Sequence, residues 1–582
     1  MAGTVSGPES GTFRTAYDAD PRLALLLGPG GPFEVADVVV DGVPVRSFLR
    51  APATIVDCFQ QAKAHADLDH LVFEGSRLTF GDVRRQALGI ARRLRSDFGV
   101  MPGDRVAIAM RNVPEFVISF WGAAAAGAIV VLLNAWWTGP ELRYALETAG
   151  VTVVFADSER IERLASAPGG PGRPRIIGVR TAGVAGVAAP GETAFEAVPF
   201  EDLASGSALD EADLAGRRPD DAVAILFTSG TTGFPKGALI TNRNVITSMM
   251  NMAFAGTRAA IIDGRARTAA GQAASISAAP LFHIGGLCGI VGSALSGSKM
   301  VIMAKWDTAE ALALAEREHV TSFGGVPATA RQVLEHPAAG RLRGQFSSFP
   351  MGGASVPPDL PLRAREVLGE DLQILNGYGG TETTSAVVTN VGDEYAARPG
   401  SVGRPNLTAD LRVTGADGQP LAADEVGELC FRSPQVVKGY WNDPDATKDA
   451  FAEGWFHTGD LGYVDADGYV YVVDRLKDVV IRGGENVYCA EVEAVLFEHP
   501  GVADVTIVGL PDQAMGERVG AVVVPRPGAS LALDELRAFA APRLAAFKRP
   551  EVLHLVGELP RTPTGKTDKR LLRQRLSARP EV

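Results

Sequence analysis

Apolar positions along the chain change period several times, and the changes mark out its elements. From about Thr54 to Ala156, short apolar runs alternate with stretches of helical spacing: Leu78-Thr79-Phe80 ahead of a helix, Arg105–Met110 as a strand, then Phe116–Leu133. That grammar predicts a doubly wound α/β fold. Val35–Val45 reads as a hairpin around Asp41-Gly42, a pair suited to positive φ. Ala222–Phe227 is a continuous apolar run that predicts a buried strand, and Asn244–Phe254 carries helical spacing. Two stretches, Ser166–Gly216 and Gly256–Ala274, read as surface excursions.

Beyond Gly400 the elements shorten. Leu411–Thr414, Gly427–Phe431 and Tyr469–Val473 predict strands separated by Asp-Gly turns, hence a β-rich subdomain at about 400–474. After Arg475 come a Gly-Gly turn, a helix over Ala490–Glu498, strands at Asp504–Val508 and Gly520–Val524, a helix over Leu533–Ala541, a strand at Val552–Val556 and a final basic helix. The expected organisation is an N-terminal extension (1–50), a large α/β domain (51–476) and a small mobile α+β domain (477–582).

Composition narrows the function classes. The 582 residues carry 46% hydrophobic and 21% charged side chains, ordinary for globular domains. A formal net charge of −12 offers no basic field for nucleic acid or an anionic membrane. Cysteines 58, 288, 430 and 489 lie far apart, without the spacing of a zinc site or a disulfide framework. With no signal-peptide pattern at the N-terminus, the expected location is the cytoplasm. Phe116–Leu133 is uncharged for 18 residues, the lower limit for a membrane span, but its Ala-rich first half and β-branched second half, divided by Gly127, predict a buried helix and strand. Membrane contact is then peripheral at most. A homodimer stays open.

Candidate chemistry begins at Thr228–Gly237, Thr-Ser-Gly-Thr-Thr-Gly-Phe-Pro-Lys-Gly. Glycines let backbone N–H groups converge on an anion, hydroxyls add donors, and Lys236 adds charge. The spacing is not that of a Walker loop, and the apparent strand-to-helix setting is where α/β proteins bind nucleotides. In Asn376–Thr383, Tyr378 between glycines offers a face for a purine, Asn376 can meet an amino-purine edge, and Glu382 beside Thr381 offers oxygen ligands for Mg²⁺. Asp460, in Trp-Phe-His-Thr-Gly-Asp, can accept ribose hydroxyls with Arg475 as a further donor; a capped turn beside a surface charge cluster is the competing reading. Lys566 stands on a Pro/Gly-shaped loop and could be delivered to a reacting site. Lys569, Arg570 and Arg573 suit a solubilising end better.

Together these segments resemble the acyl-adenylate-forming, AMP-binding superfamily of acyl-CoA synthetases, luciferases and peptide-synthetase adenylation domains. The resemblance runs from about Ala53 to Arg575 and also takes in Pro280–Gly286, Gly352–Ser355, Gly439–Asn442, Asp474–Asp478 and Gly483–Asn486, all in family order. It implies an acyl-CoA synthetase that uses ATP, Mg²⁺ and CoA. It places Thr228, Ser229, Gly230, Thr231, Thr232 and Lys236 on the ATP phosphates, with Thr381 beside them and Glu382 on Mg²⁺. Adenine would lie between Tyr378-Gly379 and Gly353-Ala354-Ser355, near Asn376. Asp460 and Arg475 would hold ribose. Lys566 would bridge the α-phosphate and the acid, His283 would gate the acid pocket, Lys477 would be the interdomain hinge, and Gly483-Gly484 would reach the thioester site. One departure is Thr241-Asn242-Arg243-Asn244, where many relatives have histidine at the second place; it is read as tuning of the helix start.

For the acid, no aspartate stands within Pro280–Leu287 to meet an α-ammonium group, which disfavours amino acids. Phe282, Ile284, Leu287, Val326 and Pro327 suggest an apolar lining, with room left by glycines 285, 286, 324 and 325. The expectation is a fatty or other hydrophobic carboxylic acid. An aryl acid, or transfer to a carrier protein in place of CoA, are the alternatives.

Overall fold

The computed structural model describes residues 11–15, 17–166, 174–181, 197–214, 217–228, 235–265, 271–561 and 567–577. The chain divides into two compact units. The first takes in Arg14–Asp410 and Phe431–Phe456; the second takes in residues 11–13, Leu411–Cys430 and the described residues from His457 on.

The first unit is built on sheets of the expected doubly wound kind. Strands Arg105–Ala109, Ile129–Leu132, Val153–Asp157, Arg175–Val179, Ala197–Pro199 and Ala222–Thr228 are mutually parallel in a seven-strand sheet. Lys236–Thr241 closes one edge antiparallel to Ala222–Thr228. Two four-strand ladders form a second sheet, joined where Ser322 bridges Ser275 on one side and Ser348 on the other. Local signals explain the helices between them. Thr79 and Asp82 form a capping box at the start of Phe80–Ser96, and Thr54 with Asp57 does the same for Ile55–Gln61. Pro114–Ala126 is buried on every side and stops at Gly127, whose φ of 96° only glycine adopts without strain. Residues Phe116–Leu133 are thus a core helix and the core strand Ile129–Leu132, as the pattern predicts.

One expectation fails here. The helix beginning at Asn242 does not yield to a loop at Gly256 but runs 21 residues to Ile262. Gly256 is buried within it, its carbonyl accepting from Gln373 Nε2, and Arg258 beyond it is tied to Glu394 at 2.7 Å. Packing on this buried face outweighs glycine's weak helix propensity. The helix is long and apolar enough to cross a membrane, yet 56% of its apolar window is buried inside the protein.

N-terminal residues pack on the same unit. The hairpin Val35–Val40/Val43–Phe48 turns at Asp41 (φ 49°) and Gly42 (φ 82°), the two positive values of a type I′ turn. Arg14 bridges to Asp410, which also pairs with Arg432.

In the second unit, strands Val502–Asp512 and Gly516–Pro525 form a long antiparallel pair flanked by Val480–Arg482/Glu485–Val487 and Val552–Leu555. Helices Cys489–Phe497 and Leu533–Ala540 cover the sheet over a core that includes Val492, Leu496, Val519 and Leu536. Both long strands outrun their predicted lengths. Lys569 and Arg573, read from sequence as solubilising, are structural ties: Lys569 pairs with Glu493 at 2.8 Å, and Arg573 donates to the Lys477 carbonyl at 3.2 Å.

Candidate active site

The first unit carries the larger share of the predicted nucleotide residues. Parallel strands Ser348–Gly352 and Gln373–Gly380 end side by side, with Gly352 paired to Gly377. Gly353, Ala354 and Ser355 therefore leave one strand end, all exposed, beside Tyr378 and Gly379 at the next. Carboxyl ends of parallel strands are where open α/β sheets bind ligands. A Cβ at Gly379 would lie 2.1 Å from the Ser385 carbonyl oxygen, so close backbone approach requires glycine there. Tyr378 is partly buried, its ring centroid 6.1 Å from that of Phe431. Asn376 is 6% exposed and presents little surface to a ligand.

Thr381 and Glu382 sit in the turn joining Gln373–Gly380 to Ser385–Val391. Thr383 Oγ1 accepts from the Gly380 amide and donates to the Ser385 carbonyl, both at 2.8 Å, and so fixes the turn. The Glu382 carbonyl accepts from the Val437 amide, and one carboxylate oxygen accepts from the Tyr440 hydroxyl at 2.9 Å. The other oxygen is outside that bond. A hard anionic oxygen on a fixed turn fits a Mg²⁺ ligand.

The phosphate loop departs from the expected setting. Thr228 and Lys236 are paired residues of antiparallel strands, so the phosphate loop is flanked by two strands and not by a strand and a helix. The helix begins only at Asn242. Lys236–Thr241 was hidden because it opens on Lys-Gly; its burial comes from pairing with the apolar run before it. Ser229, Gly230, Thr231 and Thr232 lie outside the described residues. Lys236 Nζ is 5.3 Å from the centroid of the Tyr440 ring.

The variant helix start, read from sequence as tuning, is tied to its neighbours by hydrogen bonds. Thr241 and Asn244 form the capping box, Asn244 Nδ2 reaches the carbonyls of Pro434 and Val436, and buried Asn242 accepts from the Ile55 amide.

His283 is the N-cap residue of Ile284–Ser296, 4.7 Å from Phe282, whose ring meets Trp136 edge-on at 5.1 Å. Asn112, which sequence reasoning missed, pins this segment by accepting from the Leu281 amide at 2.9 Å and donating to the Ala279 carbonyl. The expected room beside the glycines is mostly filled. A Cβ at Gly286 would meet Leu281 Cα at 2.4 Å, at Gly324 the Pro350 oxygen at 1.9 Å, and at Gly325 Thr329 Oγ1 at 2.6 Å. Only Gly285 of the four faces open space. Phe282 and Leu287 are core residues at 4% and 0% exposure.

In the second unit, Asp460 and Arg475 are cross-strand partners. Gly459 (φ 68°) shapes the turn ahead of Asp460: its amide donates to Glu428 Oε1 at 2.8 Å, and Thr458 Oγ1 accepts from the Asp460 amide at 3.0 Å. The other Glu428 oxygen lies 3.0 Å from His457 Nδ1, which is 3.3 Å from Cys430 Sγ. Burial pushes the Cys430 thiol up to about 12. These three residues are of metal-ligand type, and their hydrogen bonds account for the cluster as the brace behind the turn. Nearby, Lys477 is exposed, and burial raises the Asp474 carboxyl above the usual range. Gly483 (φ 59°) and Gly484 (φ 88°) form the two-residue turn of a hairpin, with the Gly483 amide donating to the Met515 carbonyl at 2.8 Å. Lys566 lies outside the described residues.

This constellation on this fold defines an AMP-binding enzyme. The family model described as AMP-binding enzyme matches residues 58–441, and that of the AMP-binding enzyme C-terminal domain matches 491–566. The chain belongs to this family and is of its acyl-CoA synthetase type. It is 36% identical over 508 residues to a feruloyl-CoA synthase from Amycolatopsis sp, covering 86% of this chain and 94% of that enzyme. Identity to a long-chain-fatty-acid–CoA ligase from Mycobacterium tuberculosis is 34%, with the same coverage. Among solved structures, o-succinylbenzoate CoA synthetase from Bacillus subtilis is similar at 27% identity. Its acyl-adenylate complex superposes with TM-score 0.75 over 92% of this chain and 99% of that one. Its complex with ATP and magnesium gives 0.73 over 90% and 99%.

Proposed function

We propose that this chain joins a hydrophobic carboxylic acid to CoA at the expense of ATP, by way of an acyl-adenylate, releasing pyrophosphate and then AMP. The observation that carries this reading is the assembly of Lys236, Tyr440 and Glu382 in one unit, with the exposed Gly353–Ser355 segment and Tyr378 at adjacent ends of parallel strands. That unit holds a cation, a carboxylate suited to Mg²⁺ and an aromatic face, the groups that a nucleoside triphosphate requires.

In the first half-reaction an acid carboxylate attacks the α-phosphate of ATP and pyrophosphate leaves. Two anions must meet, so positive charge has to be fixed in place beforehand. Lys236 and the loop amides would neutralise and orient the β- and γ-phosphates, Glu382 would hold Mg²⁺, and Lys566 would face the α-phosphate. Bound Mg²⁺ supplies charge neutralisation on the phosphates. Asp460 would accept from the ribose hydroxyls. In the second half-reaction the CoA thiol attacks the activated carbonyl and AMP departs. Lys477 would serve as the hinge, with Gly483-Gly484 reaching the thioester site.

Within the hydrophobic acids, the two candidates are a long-chain fatty acid and an aryl acid. The relatives support both, one being named for feruloyl-CoA and the other for long-chain fatty acids. A panel of cinnamic and benzoic acids against saturated acids of increasing length, scored by AMP formation with and without CoA, tests the reading. Acid-, ATP- and CoA-dependent AMP supports it. Turnover that ignores CoA and requires a carrier protein would replace CoA as the acceptor, and no acid-dependent pyrophosphate release with any member would overturn it.

A further inference from the structure

Through Tyr440, the segment Gly439–Asn442 touches both charged groups of the phosphate site. Its backbone extends the edge of Lys236–Thr241: the Leu239 amide donates to the Gly439 carbonyl at 3.0 Å and the Trp441 amide to the Gly237 carbonyl at 2.7 Å. Tyr440 is bridged to Ala238, two residues from Lys236. Gly439 (φ 146°) allows the approach, because a Cβ there would lie 2.4 Å from Thr447 Cγ2. Thr447 Oγ1 in turn accepts from the Tyr440 amide at 2.9 Å. Phe451 meets the Tyr440 ring edge-on at 5.7 Å, so both ends of the residue are held.

From this fixed place the side chain faces two ways. Its hydroxyl donates to Glu382 Oε1 at 2.9 Å, and its ring lies 5.3 Å from Lys236 Nζ. We propose that Tyr440 is a positioning residue that couples the metal carboxylate to the phosphate-loop lysine. By occupying Oε1, the hydroxyl fixes the Glu382 carboxylate, whose other oxygen would be left to hold Mg²⁺. By lying beside the ammonium, the ring restrains Lys236 through a cation–π contact. One side chain thereby sets the spacing of two groups that are 146 residues apart in sequence.

The inference rests on the nucleotide reading of Glu382 and Lys236, and the test separates the two. Tyr440→Phe deletes only the hydroxyl; Tyr440→Leu also deletes the aromatic face. Binding of Mn²⁺–ATP to the full chain, followed by the electron paramagnetic resonance signal of the ion, is measured beside the Mg²⁺ dependence of pyrophosphate release. Loss of one hydrogen bond to a charged group predicts Mn²⁺–ATP binding about 5- to 20-fold weaker in Tyr440→Phe, with the half-saturating Mg²⁺ concentration rising in step and thermal stability little changed. Tyr440→Leu should add a rise in KM for ATP. Glu382→Gln is the control. If Glu382→Gln weakens ion binding and Tyr440→Phe does not, the coupling is wrong and the nucleotide reading stands. If neither changes ion binding, the assignment of Glu382 falls and the coupling falls with it. Equal loss of ion binding and folding in Tyr440→Phe, with no separate metal effect, would make the residue merely structural and overturn the proposal.

Discussion

Asp460 Oδ1 lies 3.0 Å from Arg475 Nε, and the two residues are direct partners across strands Trp455–Val464 and Val470–Arg475. Asp460 is 9% exposed and braced through Thr458, Gly459 and Glu428, whereas half of the Arg475 side chain is in solvent. The carboxylate is the fixed member and the guanidinium the adjustable one. Asp460→Asn keeps the shape and removes the charge, and should lower kcat/KM for ATP on the order of 10- to 100-fold. Arg475→Lys should cost less. ATP-dependence of AMP formation measures both, and a larger loss in Arg475→Lys would reverse the assignment.

Lys566 and Lys477 test the two half-reactions separately. Lys566→Ala should cut acid-dependent pyrophosphate release on the order of 10²- to 10³-fold. Conversion of supplied acyl-adenylate and CoA to thioester should survive. Lys477→Pro should do the reverse. Among the described residues the Lys477 amide donates to no backbone carbonyl, so proline there removes no such bond; it fixes φ of residue 477 near the proline value and pushes Leu476 toward extended geometry. Retained thioester formation in Lys477→Pro would argue against the hinge, and equal loss of both steps in Lys566→Ala would argue against the lysine's role.

Much of the fold was legible because local signals and tertiary structure agree. Leu78-Thr79-Phe80 announces a helix start, Asp41-Gly42 a hairpin turn, and Gly127 the end of a core helix; each does that work with neighbours a few residues away. The strand Lys236–Thr241 was not legible, because its pairing with Ala222–Thr228 makes it a strand, while its Lys-Gly start looks like loop. Gly256 misled for a related reason: its place inside a buried helix depends on partners more than a hundred residues away. In the site, the residue types were readable and their mutual geometry was not. No period in the sequence reveals that Tyr440 meets Glu382, or that Asn112 holds the segment carrying His283.

His70 sets an acid limit on stability in the first unit. It is 2% exposed, stacked on Phe80 with ring centroids 3.9 Å apart, and bonded through Nε2 to Ser293 Oγ at 3.0 Å. Burial lowers its pKa to about 3, so the folded protein keeps it neutral. The unfolded chain binds a proton below its ordinary value of about 6.5. Stability therefore falls as pH drops from about 6.5 toward 3, by roughly 2 kcal/mol at pH 5 from this group. His70→Gln should be less stable than wild type at pH 7.5 but lose less on going to pH 5. Thermal midpoints at the two pH values check it, and parallel losses would remove His70 as the cause.

Glycines 285, 286, 324 and 325 look alike in the sequence, and the structure separates them by what a side chain would strike. At Gly324 a Cβ would fall 1.9 Å from the Pro350 oxygen, and backbone cannot give way as a flexible side chain can. Gly324→Ala should therefore destabilise by about 1–3 kcal/mol or more and reduce activity toward every acid alike. Gly285 has nothing within 4 Å, and it opens the helix that His283 caps. Gly285→Val adds bulk there without a clash, so folding should hold while the acid panel shifts: bulky acids lose kcat/KM, and the smallest aromatic acids keep theirs. The steric part of such discrimination is worth about 1–3 kcal/mol, or roughly 10- to 200-fold in relative kcat/KM. Thermal melts beside the acid panel distinguish the outcomes. A Gly285→Val enzyme that folds and keeps the wild-type order of acids would place the acid pocket elsewhere.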